Sequence, residues 1–214
     1  AAVLGLGNGL SAGLIMTLMP EDILDFWFEE AGPKAWFTVD AAFDARVRRK
    51  LGPPCHSFLQ TRSVLDHPWL VEPDSALALV ILLDQAPRNV WRGSNAAFRL
   101  DPLARQAAMS MLEAGFDWAL PKDRRAFVYL PFSHSEDLED QALAVLMCEE
   151  RLGPDSDNTR HARAHMDVIA RFGRFPHRNA VLGRTPRPAE QRYLEEGGYA
   201  PGSKRPAKTT QGQS

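Results

Sequence analysis

A chain of 214 residues has room for one large domain or two small ones, and ample length for a buried core. Its 25 basic and 27 acidic side chains leave a formal net charge of -2, which excludes the basic field of a general nucleic-acid binder. The two cysteines, Cys55 and Cys148, lack CxxC spacing. That excludes a disulfide scaffold or zinc knuckle and suits a reducing, cytoplasmic setting.

Residues 1–19 stand apart, because no charged side chain occurs before Glu21 while Gly5, Gly7, Gly9 and Gly13 interrupt the apolar run. The stretch is long enough to cross a bilayer, but four glycines weaken a helix and no flanking Lys or Arg orients one. The expectation is a disordered leader, or sequence ahead of a true start near Met16 or Met19, with a membrane anchor as the lesser alternative. Residues 20–200 read as a single all-helical domain, and 201–214 as a disordered polar tail.

Ala 28 and Leu 25 against Val 11 and Ile 4 favour helix over sheet. In chain order, Pro20 with Glu21 and Asp22 opens a helix through Trp27-Phe28, with acidic residues where the dipole favours them. A second runs from Val39 to Leu51, with Gly52-Pro53-Pro54 expected to end it. Pro73 starts a third whose core, Ala76 to Leu83, is apolar all round and belongs at the centre of the domain. Asp101-Pro102 reads as an N-cap followed by proline at the first helical position, leading to Gly115. Pro121 opens the next helix, and Ser133-His134-Ser135-Glu136 reads as a capping box ahead of one that stops at Gly153. Asn158 to Phe172 follows, ended by Gly173, and short helices near 176–182 and 188–196 close the body. About nine helices with short connections imply antiparallel hairpins.

Polar residues that break these local rules locate a candidate site. Asp84 and Gln85 are expected at the C-terminus of the apolar helix, where a carboxylate opposes the dipole. Burial there demands a partner, with Arg88 and Arg92 nearest by type. Either Asp84 locks the loop from Pro87 to Gly93, or it orients an arginine aimed into a cavity. The run from Arg171 to Asn179 holds Arg171, Arg174, His177 and Arg178 among two phenylalanines. Arginine forks there suit a carboxylate or phosphate. His134, placed at a helix N-terminus, forms one wall of an anion site with Gln141 on the same helix. His165 lies on a core face and is expected to be satisfied by a carboxylate. Its i, i+4 spacing to His161 is a weak metal signal, without a Glu frame or a third ligand.

Asp25-Phe-Trp-Phe28, Leu82-Leu-Asp-Gln-Ala-Pro-Arg-Asn89, Tyr129-Leu-Pro-Phe-Ser-His-Ser-Glu136 and Arg171-Phe-Gly-Arg-Phe-Pro-His-Arg-Asn179 together give the chain a family likeness from Ile23 to Leu194. It resembles the bacterial domain of unknown function 924, a family grouped with tetratricopeptide-like helical folds. The resemblance implies a right-handed helical array, without legible repeats here, and no settled activity. This chain carries Ala86 where the family motif has an aromatic residue, which implies a looser wall.

Two functions follow as expectations. In the first, Asp84, Gln85, Arg88, Asn89, Arg92, His134, Gln141, Arg174, His177, Arg178 and Asn179 converge on a pocket for an anionic small molecule or peptide carboxylate. Hydrolase-like activity is an extension, with His134, His165, His177 and Asp84 as the candidate catalytic groups. No nucleophile motif, cofactor motif or metal frame is present, and neither nucleic acid nor a membrane is an expected partner, whereas a homodimer is compatible. In the second, the polar cluster is a structural lock in an adaptor, with Trp36, Trp69, Trp91 and Trp118 as exposed anchors. The simpler expectation is that all five tryptophans fill core.

Overall fold

The computed structural model describes residues 18–36 and 38–199, so the leader before residue 18 and the tail from 201 lie outside the described residues. Among the described residues the chain is helical with no strand. Its α-helices are α1 (Pro20–Leu24), α2 (Pro33–Trp36), α3 (Ala41–Ser57), α4 (Pro73–Val80), α5 (Ala86–Val90), α6 (Asp101–Glu113), α7 (Phe116–Ala119), α8 (Lys122–Ser133), α9 (Leu138–Arg151), α10 (Asp157–Phe172) and α11 (Pro188–Glu195). No described helix is long and apolar enough to cross a membrane.

The apolar helix is the hub. Every residue from Ala76 to Leu83 is fully buried or within 1% of it, and α4 packs against α1, α6 and α8. Burying each Leu, Ile or Val there contributes about 1.5–3 kcal/mol relative to exposure. α8, α9 and α10 pack one on the next through short connections.

The chain does not stop at Asp84. α4 passes into a π-helical turn, Ile81–Gln85, and then into α5. The Ala86 N–H reaches back five residues to the Ile81 carbonyl. This wide turn stands directly before Pro87, whose ring would clash with the Leu83 carbonyl in an unbroken α-helix. The expected helix end is therefore a register shift, and Asp84 and Arg88 share one face at i, i+4. Ala86 is fully buried within the main core.

Three other boundaries differ from expectation. α3 is capped by Asp40, whose Oδ1 accepts the Ala42 N–H at 2.7 Å. It then continues past Gly52-Pro53-Pro54 to Ser57. The carbonyls that the two prolines cannot reach belong to Arg49 and Lys50, outside the buried face, while Cys55 in the next turn is fully buried and pins it. Ser133 and Glu136 form no capping box, since Ser133 ends α8 and Asp137 caps α9 by accepting the Glu139 N–H at 2.8 Å. Asp101 is the first residue of α6, and its carboxylate points to Arg88. The tryptophans also divide: Trp27 is fully buried, but Trp118 is 58% exposed, with the guanidinium groups of Arg125 and Arg151 4.9 and 5.1 Å from its ring.

Candidate functional site

The π turn drives Asp84 into the protein, where a carboxylate must be fully partnered. It is fully buried. One oxygen, Oδ1, accepts from Arg88 Nη2 at 3.0 Å and from His134 Nδ1 at 2.8 Å, while Oδ2 accepts from Gln85 Nε2. Arg88 Nη2 also donates to Asp101 Oδ1 at 3.1 Å, and its Nη1 to the Ala97 carbonyl at 3.4 Å. Arg88 thus joins two carboxylates. Burial raises the Asp84 carboxyl, but the neighbouring charges and hydrogen bonds overcome it and hold the group well below the usual range. Burial and the charge of Arg88 push His134 below the ordinary imidazole value, so its ring is neutral at pH 7 and the cation facing Asp84 is Arg88. Burial and the charge of Asp84 raise Asp101, against the pull of Arg88.

His134 reaches this cluster from the C-terminus of α8, not from a helix N-terminus. Its own N–H donates to the Leu130 carbonyl at 2.9 Å. The expected wall of free N–H groups is therefore absent there, and the turn presents carbonyls. Three side chains satisfy them. Gln141 Nε2 donates to Ser133 O at 2.8 Å and to Ser135 O at 2.6 Å, His165 Nδ1 to Ser133 O at 2.9 Å, and Arg178 Nη1 to His134 O at 2.9 Å. A cation is favourable at that end of the helix dipole.

Arg178 comes from the 3-10 turn Pro176–Arg178, and its guanidinium lies over the rings of Phe98 and Phe175 at 4.7 and 4.4 Å. It is 7% exposed. Its one hydrogen bond among the described residues goes to the His134 carbonyl, and its buried Nε is unpartnered. Burial and the charge of Arg88 lower it to about 10. Beside it, His177 carries an unpartnered buried Nδ1 and is lowered to about 4, chiefly by burial. His165 is lowered to about 3, again chiefly by burial. It is satisfied by the Ser133 carbonyl and by Tyr199 Oη at 2.9 Å, not by a carboxylate. The ring centroids of His134 and His165 are 6.2 Å apart.

The remaining expected site residues belong elsewhere. Asn89 and Arg92 both turn to Asp44; Arg92 grips it through Nε at 2.6 Å and Nη2 at 2.9 Å. Arg174 and Asn179 bind the fully buried Glu190, which their hydrogen bonds hold down to about 2. Glu136 pairs with Arg184 and accepts the Phe175 N–H at 2.8 Å. His161 faces Tyr199 Oη at 3.2 Å, and no group of three metal-ligating side chains occurs among the described residues. Burial pushes both cysteine thiols up to about 12, so neither is a ready nucleophile. Two hollows border α8 and α10: one of about 30 Å³ touched by Ser133, Cys148, His161 and His165, and one of about 210 Å³ touched by Trp36, Asp123, Phe127 and Asn158. Asp84, Arg88 and Arg178 line neither.

Sequence reasoning missed Asp101 as a member of the central cluster, because Asp-Pro at a helix start already had a sufficient local explanation. Phe98 and Tyr199 had no motif to mark them.

Fold and cluster together define an all-helical protein whose central helix carries a buried aspartate shared by a histidine and an arginine. The family model described as bacterial protein of unknown function (DUF924) matches residues 23–198, and the chain belongs to that family. A solved structure of the protein of unknown function ATU0120 from Agrobacterium tumefaciens is similar over 83% of this chain and 97% of that one, with 44% identity and a TM-score of 0.76. No curated protein matches the chain.

Proposed function

We propose that the chain binds an anionic small molecule or a peptide carboxylate at the cluster formed by Arg178, Arg88 and His134. One observation carries the reading. Arg178 is a buried cation with five N–H donors, yet it spends one hydrogen bond on a neutral carbonyl and none on a carboxylate. A buried guanidinium in that state is suited to the paired oxygens of a carboxylate or phosphate. Beside it, Arg88 and His134 retain 20% and 16% of their side-chain exposure. Asp84 and Asp101 are both occupied by Arg88, which lessens their repulsion of an incoming anion.

The lock reading fits the outlying pairs Arg92–Asp44 and Arg174–Glu190, whose carboxylates are held by two nitrogens of one arginine. It does not explain the bare donors of Arg178. The test is calorimetry with succinate, inorganic phosphate and a short acetylated peptide. Binding by the wild type that weakens at least tenfold in Arg178→Met supports the site. Equal binding by the two proteins, or none by the wild type, overturns it.

A further inference from the structure

We propose that His134 is the general base of this site, with Asp84 as its positioning residue, and that the reaction served is hydrolysis of an ester whose acid half carries the negative charge. The inference rests on the anion-binding reading above. It adds which atom takes the proton.

The tautomer follows from the hydrogen bonds. Asp84 Oδ1 faces His134 Nδ1 at 2.8 Å, and a carboxylate can only accept, so Nδ1 holds the proton. Nε2 is then the lone-pair nitrogen, and it makes no hydrogen bond among the described residues. The inner edge of the ring is tied to a fully buried carboxylate, which leaves the Nε2 side as the outer edge of a 16% exposed side chain. The backbone is fixed as well: Arg178 holds the His134 carbonyl and Gln141 holds the carbonyls on either side of it. The neutral imidazole, fixed at both backbone and ring, offers the Nε2 lone pair as a proton acceptor. The Asp84 carboxylate stabilises the imidazolium that forms, against the opposing effects of burial and Arg88. His165, by contrast, has both nitrogens occupied.

The step balances without a further reactant. Water gives a proton to His134 Nε2 as its oxygen bonds to the acyl carbon; the ester C–O bond then breaks, and the departing alkoxide takes the proton back. The products are an acid and an alcohol. Arg178 holds the remote carboxylate throughout, so the charged half of the substrate sets binding and the imidazole sets turnover.

The experiment compares 4-nitrophenyl hemisuccinate with neutral 4-nitrophenyl acetate on the full chain, alongside calorimetry with succinate. The expected result is turnover that prefers the anionic ester. His134→Gln should lower kcat about 100-fold or more while succinate binding persists. Asp84→Ala removes the acceptor that fixes the His134 ring and its tautomer, so kcat should fall with KM little changed. Since that variant removes a buried charge, the unmodified chain supplies a second measurement. Diethyl pyrocarbonate should abolish turnover by modifying His134, more slowly when succinate is present. Succinate binding with turnover equal in wild type and His134→Gln overturns the base and leaves the anion site standing. Absence of succinate binding overturns the anion site and this proposal with it.

Discussion

His134 Nδ1 and Arg88 Nη2 meet on the same oxygen of Asp84, at 2.8 and 3.0 Å, although His134 is fifty positions away in sequence. Asp84 is therefore the junction between the central helix and the end of α8. Replacing it by alanine strands the Arg88 guanidinium and removes the acceptor that orients His134. Losing one partner of a buried ion pair costs about 3–5 kcal/mol. Asp101 still holds Arg88, so a loss near the lower figure is expected for Asp84→Ala in urea unfolding. A loss below about 1 kcal/mol would show that the junction is not a structural element.

The outlying pairs should separate stability from binding. Arg174 grips Glu190 through Nε at 2.7 Å and Nη2 at 2.8 Å, and Glu190 is fully buried. Arg174→Met leaves that carboxylate with Asn179 and the Arg187 N–H. A measurable loss of stability is expected in urea unfolding, with affinity for succinate unchanged at a temperature where the variant is folded. A tenfold change in affinity would return Arg174 to the ligand site.

The buried His165 and the half-buried His177 set an acid limit on stability. His165 and His177 are lowered to about 3 and about 4 by burial, against about 6.5 for a free imidazole. From pH 6.5 down to about 4 the unfolded chain binds protons that the folded chain refuses, so stability rises with pH across that window. It is complete above pH 6.5 and falls as the pH drops, by up to about 1.4 kcal/mol per pH unit for each such histidine. Urea midpoints at pH 7, 5.5 and 4.5 check this. His177→Gln should flatten the slope, and a slope equal to the wild type would contradict its burial as the neutral form.

Much of this architecture was legible because local signals and tertiary needs agreed. The run from Ala76 to Leu83 had no polar face and could only be central, and Gly173 has the positive φ of +67 that ends α10. The three motif blocks containing Asp84, His134 and Arg178 meet through hydrogen bonds, but these three residues line neither of the two hollows beside α8. What could not be read was where long-range partners override local rules. Pro53 and Pro54 read as a stop, but the packing of Cys55 carries α3 through them. Ser133 and Glu136 had the spacing of a capping box, yet their side of the chain is a helix end, and Glu136 serves Arg184 forty-eight residues later. Arg92 and Arg174 were indistinguishable by type from Arg178. Only the positions of Asp44 and Glu190 show them to be paired.

Gln141 offers a test whose sign differs from the rest of the molecule. It is fully buried, and its Nε2 lies within 2.8 Å of Ser133 O and 2.6 Å of Ser135 O, with Phe132 O at 3.4 Å. Three acceptors fix the amide orientation, because the amide oxygen could donate to none of them. Gln141→Leu leaves the Ser135 carbonyl unpartnered and should cost about 1–3 kcal/mol. Gln141→Glu is worse at pH 7, for it points a carboxylate at carbonyl oxygens on the negative end of α8. Burial and those oxygens both disfavour the ionised form, so the introduced carboxyl should have a folded-state pKa raised above its unfolded value. The folded variant then binds the extra proton, and the protonated acid regains a donor for one carbonyl. Its stability relative to wild type should therefore improve as pH falls from 7 to 5, while the wild type itself weakens over the same range. Urea midpoints of the two proteins at those pH values decide it: a deficit that stays constant or widens on acidification would mean that the side chain at 141 does not face the carbonyls at the end of α8.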